Sequence, residues 1–389
     1  MPDDIFSSIL HKGTDRLKVG IVCYPTYGGS GVIATELGYG LSQQGHDVHF
    51  ICYNQPARLD LREGQITFHM VNVVSYPLFE FPPYTLALSS KIYEVMRDSQ
   101  LDVVHVHYAI PHSTAAFLAK QMLPDSPAKI ITTLHGTDVR LIGIDPSYKH
   151  ITKFSIEQSD GVTAVSNSLA DVTIKEFGLR KPIEVVPNFV DTQVFTRQEN
   201  EHMRRKYARP YEKIVCHISN FREVKKVPNV IRIFEKISRA VPSKLLLVGN
   251  GPDFRNCVDL VTQLRLDHQV FFLDFIKDVP NVLSISDLFL LPSENESFGL
   301  AALEALSCEV PVIASRVGGL PEVIVDGECG YLVESNDLDR MAGLAIELLK
   351  DDHLRRRMGR AGRNLAELKY GLHDVVRQYA RYYEAVINE

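Results

Sequence analysis

Short runs of β-branched and aromatic residues, each followed by a segment of helical period, recur along this chain and constrain its fold more than any other feature. KVGIVC (18–23), DVHFIC (47–52), LDVVHVH (101–107), AKIITTL (128–134), GVTAV (161–165) and IEVVP (183–187) read as strands buried on both faces. Between most of them lie segments such as VIATELGYGLSQQG (32–45) and SLADVTIKEFG (168–178), which have helical period. Strand and helix in alternation imply a parallel sheet covered on both sides. After the polar stretch TRQENEHMRRKYARPYEK (196–213) the pattern restarts with IVCHIS (214–219), KLLLVG (244–249), QVFFLD (269–274), DLFLLP (287–292) and VPVIAS (310–315). A chain of 389 residues also exceeds what one hydrophobic core usually supports. The expectation is an α/β protein of two Rossmann-like, doubly wound parallel-sheet domains, residues 17–190 and 191–369, with a hinge near Pro187 to Thr196. Residues 1–16 read as an N-terminal extension without an assigned role, and the tail from 370 to 389 has helical period and is expected to pack back on the first domain.

Bulk properties exclude several classes. A net charge of -6 and a pI near 6.2 disfavour a non-specific nucleic-acid binder, which needs a basic surface to replace phosphate counterions. The six cysteines show no CxxC pair, and the acidic start MPDDIFSS does not read as a signal peptide. The expected setting is the reducing cytoplasm, with the thiols packed as small hydrophobes. No apolar run approaches the roughly 18 residues of a membrane span.

Ligands of such sheets bind beyond the carboxyl ends of the strands, so the segments just after strands carry the functional candidates. CYPTYGGSGVIATELG (23–38) places Gly28, Gly29 and Gly31 before a helix whose free N–H groups suit an anion, although a simple glycine turn would read alike. In HVHYAIPH, His105 and His107 share one strand face; a metal pair and a core histidine beside a cleft-lining His107 and Tyr108 are both readings of that spacing. TLHGTDV (133–139) offers His135 as a hydrogen-bonding or acid–base group, or as a loop histidine capped by Asp138. SNFREVKKVPNV (219–230) sets Arg222, Lys225 and Lys226 at a strand-to-helix junction, either as a phosphate clamp or as a solvated charge run. Finally, SENESFGLAALE (293–304) puts Glu296 in a loop and Glu304 eight residues later among alanines and leucines, in a helix expected to begin near Ser297. A carboxylate there is costly unless it is paired or hydrogen-bonded.

The two glutamates at this spacing, followed by PVIASRVGGLPEVIVDG, resemble the nucleotide-sugar site of the retaining glycosyltransferases of family 4, which have the GT-B fold. The resemblance runs from Leu17 onward, and with HVHYAIPHS, TLHGTDV, IEQSDGVTAVSNSL and SNFREVKKV it is greatest to the family members that transfer N-acetylglucosamine from UDP-GlcNAc to the hydroxyl of L-malate, the first step of bacillithiol biosynthesis. It implies an acceptor-binding first domain and a nucleotide-sugar-binding second one. It further implies catalytic roles for Glu296, Arg222, Lys226 and His135. Donor contacts would come from Gly29, Ser30, Gly31, Asn220, Arg222, Lys226, Glu296, Phe298, Gly299, Leu300 and Glu304. Acceptor contacts would come from Ser30, Tyr108, Thr137 and Lys153, the last a lysine where an arginine is expected. No metal and no cofactor are implied, UDP-GlcNAc being a co-substrate; no nucleic acid or membrane partner is implied, and a homodimer stays open. Other acceptors within the family (an inositol phosphate or a lipid), a UDP-sugar epimerase and a non-catalytic sugar-binding module are the alternatives.

Overall fold

The computed structural model describes residues 16–26, 28–60, 65–74, 80–274 and 278–389, so the expected extension lies outside the described residues apart from Arg16. The first sheet comprises β1 (Lys18–Val22), β2 (Asp47–Cys52), β3 (Ile66–Met70), β4 (Val103–His107), β5 (Lys129–Leu134), β6 (Gly161–Ala164) and β7 (Glu184–Val185), in the order β3-β2-β1-β4-β5-β6-β7. The second comprises β8 (Lys213–Ile218), β9 (Ser243–Val248), β10 (Val270–Leu273), β11 (Leu288–Leu291), β12 (Val312–Ser315) and β13 (Gly330–Val333), ordered β10-β9-β8-β11-β12-β13. Pairing is parallel at β1 with β2 and β4, and at β8 with β9 and β11. These are the two Rossmann-like sheets expected of the sequence. In each, the strand order reverses once, between β1 and β4 and between β8 and β11, which are the topological switch points where such sheets bind ligands.

Every expected strand is present, although IEVVP contributes only the two residues of β7. Two edge strands were not anticipated. β3 (ITFHM) is only partly buried along its length, so its sequence lacks the continuous apolar run of a central strand, and β13 is a four-residue strand after a turn at Asp326–Gly330.

Grouped by packing, the described residues form two compact units: those from 16 to 163 with 179–183 and 376–389, and those from 164 to 178 with 184–375. In the first, the strand side chains Val22, Ile51, Val104 and Val106 pack with Leu88, Ile92, Ala115 and Ala119 of the crossover helices. In the second, Leu245, Leu247 and Leu290 meet Ile231, Phe234, Met341 and Leu348. Each buried valine, leucine, isoleucine, phenylalanine or methionine among them contributes on the order of 2 kcal/mol. The helix Asn167–Phe177 groups with the second unit for a visible reason: Ser166 donates to the Ser297 carbonyl (2.6 Å), and the Glu322 carboxylate accepts from the backbone N–H groups of Asn167 and Ser168 (both 2.9 Å). The stretch read as a hinge is stitched into that unit as well. Val190 pairs with the backbone of Tyr370 and Leu372, and Arg363 donates to the carbonyls of Thr192 and Phe195. All six cysteines are buried and unbridged, and no helix among the described residues is long and apolar enough to cross a membrane.

Two devices hold the second unit's strand ends. Asp287, just before β11, accepts from Arg204 (2.8 Å), from Arg355 and from the backbone N–H of Ile214 (2.8 Å). Burial alone would raise the Asp287 pKa, but Arg355, Arg204 and that N–H hold it below the usual carboxylate value. The second device is the turn after β12. Gly318 has φ +55°, and a Cβ on it would sit 1.8 Å from the Glu296 carbonyl oxygen, while the Gly319 N–H donates to that same oxygen (3.0 Å). Only glycine permits this backbone contact.

Removing one partner of the buried charge cluster should be costly. Arg355→Met is expected to lower stability by about 3 kcal/mol, read as a fall in the urea midpoint; an unchanged midpoint would mean that Arg204 alone suffices for Asp287. Gly318→Ala should cost about 2 kcal/mol through backbone strain and displace the Glu296 loop, so that affinity for UDP falls together with the melting temperature; wild-type affinity in that variant would refute the coupling.

Candidate active site

In the first unit, the ends of β1, β4 and β5 bring one polar cluster together. The helix Gly29–Gln43 starts directly at Gly29, so Gly29, Ser30 and Gly31 are its first turn rather than a loop. A Cβ on Gly31 would lie 2.4 Å from the Thr26 carbonyl oxygen, which explains the glycine. Ser30 shares a hydrogen bond with the Tyr108 hydroxyl (2.7 Å), and the Tyr108 ring lies 5.2 Å from that of His135. Tyr24 packs on both Tyr108 and His112. Asp138 accepts from the backbone N–H groups of Ala109 (3.0 Å), Gly136 (2.9 Å) and His135 (3.2 Å), which ties the turn after β5 to the end of β4. Its own burial raises its pKa, against the lowering by those N–H donors.

The histidines of this cluster are held neutral. His105 bonds Thr133 (2.6 Å) and Tyr383 (2.7 Å), His107 bonds His135 (2.8 Å), and the His112 Nδ1–H donates to the His107 carbonyl (2.6 Å). Burial pushes His105 and His135 down to about 3 and His112 down to about 4, and it carries His107 well below its ordinary value. The metal reading of His105 and His107 finds no support: among the described residues no group of three or more His, Cys, Asp or Glu side chains could hold an ion.

In the second unit the charges are ionic. Glu296 bonds Lys225 (2.6 Å) and accepts from Ser293 (3.0 Å), and it is nine-tenths buried. Beneath it His217 donates from Nδ1 to the Leu290 carbonyl (2.8 Å), leaving Nε2 to accept from Ser219 (2.8 Å); burial pushes its pKa down to about 4. The helix expected near Ser297 begins at Leu300, because Gly299 takes φ +98° and breaks the helical run before it. Glu304 therefore lies in the second turn of Leu300–Ser307, buried as expected, and Phe298 packs edge-on against Tyr370.

The structure distributes the expected residues unevenly. Ser30, Tyr108 and His135 stand together, and Thr137 shares the turn of His135. Lys153 stands apart, its ammonium 3.7 Å from Glu157 on the same helix. Asn220 is partly buried just after β8, Arg222 is exposed, and Lys226 pairs with Glu294 (2.8 Å) rather than with Glu296. Lys225, read in the sequence as one of three junction cations, is the one that meets Glu296. The signal separating it from Lys226 is conformational: Lys226 has φ +49°, which turns its side chain away from its neighbour's course. His107, read in the sequence as cleft-lining or as half of a metal pair, and Ser293, not singled out there, also belong to these clusters.

Comparison with known proteins gives the family and the fold. Residues 27–194 match the model of Glycosyltransferase Family 4 and residues 199–365 that of Glycosyl transferases group 1. The N-acetyl-alpha-D-glucosaminyl L-malate synthase of Bacillus anthracis is 47% identical over 96% of this chain and 98% of its own length. The D-inositol 3-phosphate glycosyltransferase of Corynebacterium diphtheriae is 25% identical over 85% of this chain and 84% of its own. Among solved structures, a glycosyltransferase from Rickettsia africae superimposes with a TM-score of 0.81 at 21% identity, covering 96% of this chain and 100% of that one. Anabaena HepE in complex with UDP-glucose gives 0.81 at 17% identity, covering 95% and 100%. These two likenesses establish the two-sheet GT-B fold. With both domain models matched and a near full-length relative at 47% identity, the chain belongs to the family 4 glycosyltransferases.

Proposed function

We propose that the protein transfers N-acetylglucosamine from UDP-GlcNAc to the hydroxyl of L-malate with retention at the anomeric carbon, in the cytoplasm. The observation that carries this reading is the 47% identity, over nearly both full lengths, to a GlcNAc-malate synthase. The site chemistry supports it. Leu300 opens a helix behind a left-handed glycine, which leaves its first N–H groups for a phosphate. Arg222, Lys225 and Lys226 supply cations for the diphosphate, the charge-stabilising task that a metal performs in other transferases. Glu304 accepts from the ribose hydroxyls. Glu296, oriented by Lys225 and Ser293, accepts from hydroxyls of the transferred sugar. Phe298, Gly299 and Leu300 line the donor with backbone, with Asn220 at its edge.

On the first unit, the start of the helix at Gly29 to Gly31 and the Ser30 hydroxyl receive anionic oxygens, His135 meets the transferred sugar, and Tyr108, Thr137 and Lys153 recognise the two carboxylates of malate. In the transfer the bond from the anomeric carbon to the phosphate oxygen breaks as the bond to the malate oxygen forms on the same face. The malate hydroxyl proton passes to the departing phosphate oxygen. Glu296 is committed to Lys225 and Ser293, which suits a binding role better than a nucleophile of the double-displacement kind.

Three measurements test the reading. Mass spectrometry of purified protein with UDP-GlcNAc and EDTA should give GlcNAc-malate and UDP only when L-malate is present; turnover indifferent to malate would refute the acceptor, and loss with EDTA the metal independence. Glu296→Gln should lower kcat/KM roughly 10- to 100-fold, the worth of hydrogen bonds to a charged group, and a fully active variant would rule out the sugar contact. Because His135 is held near 3, far below 6.5, kcat/KM should stay level from about pH 8 to 5.5. An acid limb near pH 6.5 that vanishes in His135→Asn would show instead that His135 titrates normally.

A further inference from the structure

His107 is wholly buried at the end of β4, and its two ring nitrogens have opposite fates. Nδ1 lies 2.8 Å from His135 Nε2, whereas Nε2 is buried with no hydrogen-bond partner among the described residues. A neutral imidazole carries one N–H. Were it on Nε2, a strong donor would be buried unmet; on Nδ1 it is satisfied, and only a bare lone pair is left without a partner. Unmet buried N–H groups are the rarer case in folded proteins. His107 therefore donates from Nδ1, and His135 accepts at Nε2. A histidine that accepts at Nε2 and is neutral carries its own proton on Nδ1.

We infer that His107 is a positioning residue that locks His135 in the Nδ1–H form, so that His135 faces the transferred sugar as a hydrogen-bond donor with no free basic nitrogen. The lock acts from several sides. The His107 carbonyl is fixed by His112 Nδ1–H (2.6 Å), and the His135 backbone N–H is fixed by Asp138 (3.2 Å). The near-parallel rings, 20° apart, let the two imidazoles share one hydrogen bond without rotation. The consequence for the chemistry rests on the proposed transfer reaction: His135 donates to a sugar hydroxyl oxygen, and since its only lone pair is taken, the acceptor's proton must leave by another route, the departing phosphate oxygen.

The tautomer can be read without any substrate, so this inference and the proposed reaction fail separately. Nitrogen-15 spectra of the histidine-labelled protein at pH 7.5, with His135 assigned by its loss in His135→Asn, should show it protonated at Nδ1 and bare at Nε2. A His135 resonance pair typical of Nε2–H, or of an imidazolium, would overturn the inference. His107→Asn places an amide donor near the Nδ1 position and should keep the wild-type tautomer signature, with kcat within about threefold. His107→Ala should let His135 adopt the Nε2–H form and lower kcat at least about 10-fold, as loss of tautomer control does elsewhere, with a smaller change in KM for UDP-GlcNAc. An unchanged His135 tautomer in His107→Ala would refute the role, and should that variant fail to fold, the wild-type and His107→Asn spectra still decide it.

Discussion

The structure depends on a reversal of strand order at the centre of each sheet. Crossovers carry the chain one way from β1 to β2 and β3, and the other way from β4 onward. At the junction the connecting helices leave for opposite faces, so the carboxyl ends of β1 and β4 stay uncovered. The same holds for β8 and β11. Backbone groups exposed there cannot pair within the sheet, and side chains placed there are anchored by two strands at once. Ser30, Tyr108 and His135 owe their meeting to the first reversal, and Lys225, Ser293 and Glu296 to the second.

The two clusters satisfy their buried polar groups in different ways. In the first, burial drives every imidazole away from its charged form, among hydroxyls and one Asp138 braced by backbone N–H donors. The second is ionic: Glu296 on Lys225 and Lys226 on Glu294, while Asp287, Arg204 and Arg355 form a separate charge cluster at the amino end of β11. Hydrogen-bonded histidines and hydroxyls fix geometry, whereas paired charges near a helix start can be re-partnered by a diphosphate. On the proposed reading the first cluster therefore offers fixed hydrogen-bond donors to hydroxyls and carboxylates, and the second meets the diphosphate charge.

Much of this was legible in the sequence because it rests on local patterns. Apolar runs marked the central strands, and Gly28, Gly29 and Gly31 marked a close backbone approach at a helix start. What escaped was set by conformation or by distant packing. β3 lies at a sheet edge, where partial burial removes the apolar run, and β13 is an edge strand of only four residues. The start at Leu300 follows from the left-handed Gly299, and the choice of Lys225 over Lys226 from a positive φ at the latter. The helix Asn167–Phe177 reads as part of the first half of the chain, yet Glu322, more than 150 residues away, caps it into the second unit. No pattern in either segment alone announces that bond.

On the proposed reading the site residues differ in how firmly they are held. Glu296 is buried against Lys225 and Ser293, and Glu304 is buried within its helix, so their positions are set before any ligand arrives, whereas Arg222 is exposed. Lys153 is held only by Glu157, one helical turn away at 3.7 Å, with 41% and 40% of the two side chains exposed. Such an i,i+4 pair is worth about 0.3–0.5 kcal/mol, and a carboxylate reaching Lys153 competes with Glu157 at little cost. A lysine also lacks the planar fork with which arginine grips a carboxylate through two bonds. On the proposed reading, then, malate is selected by the fixed pair Ser30 and Tyr108 beside His135, while Lys153 contributes attraction more than geometry. Discrimination among dicarboxylic acids should accordingly follow the position of the hydroxyl more closely than the spacing of the second carboxylate.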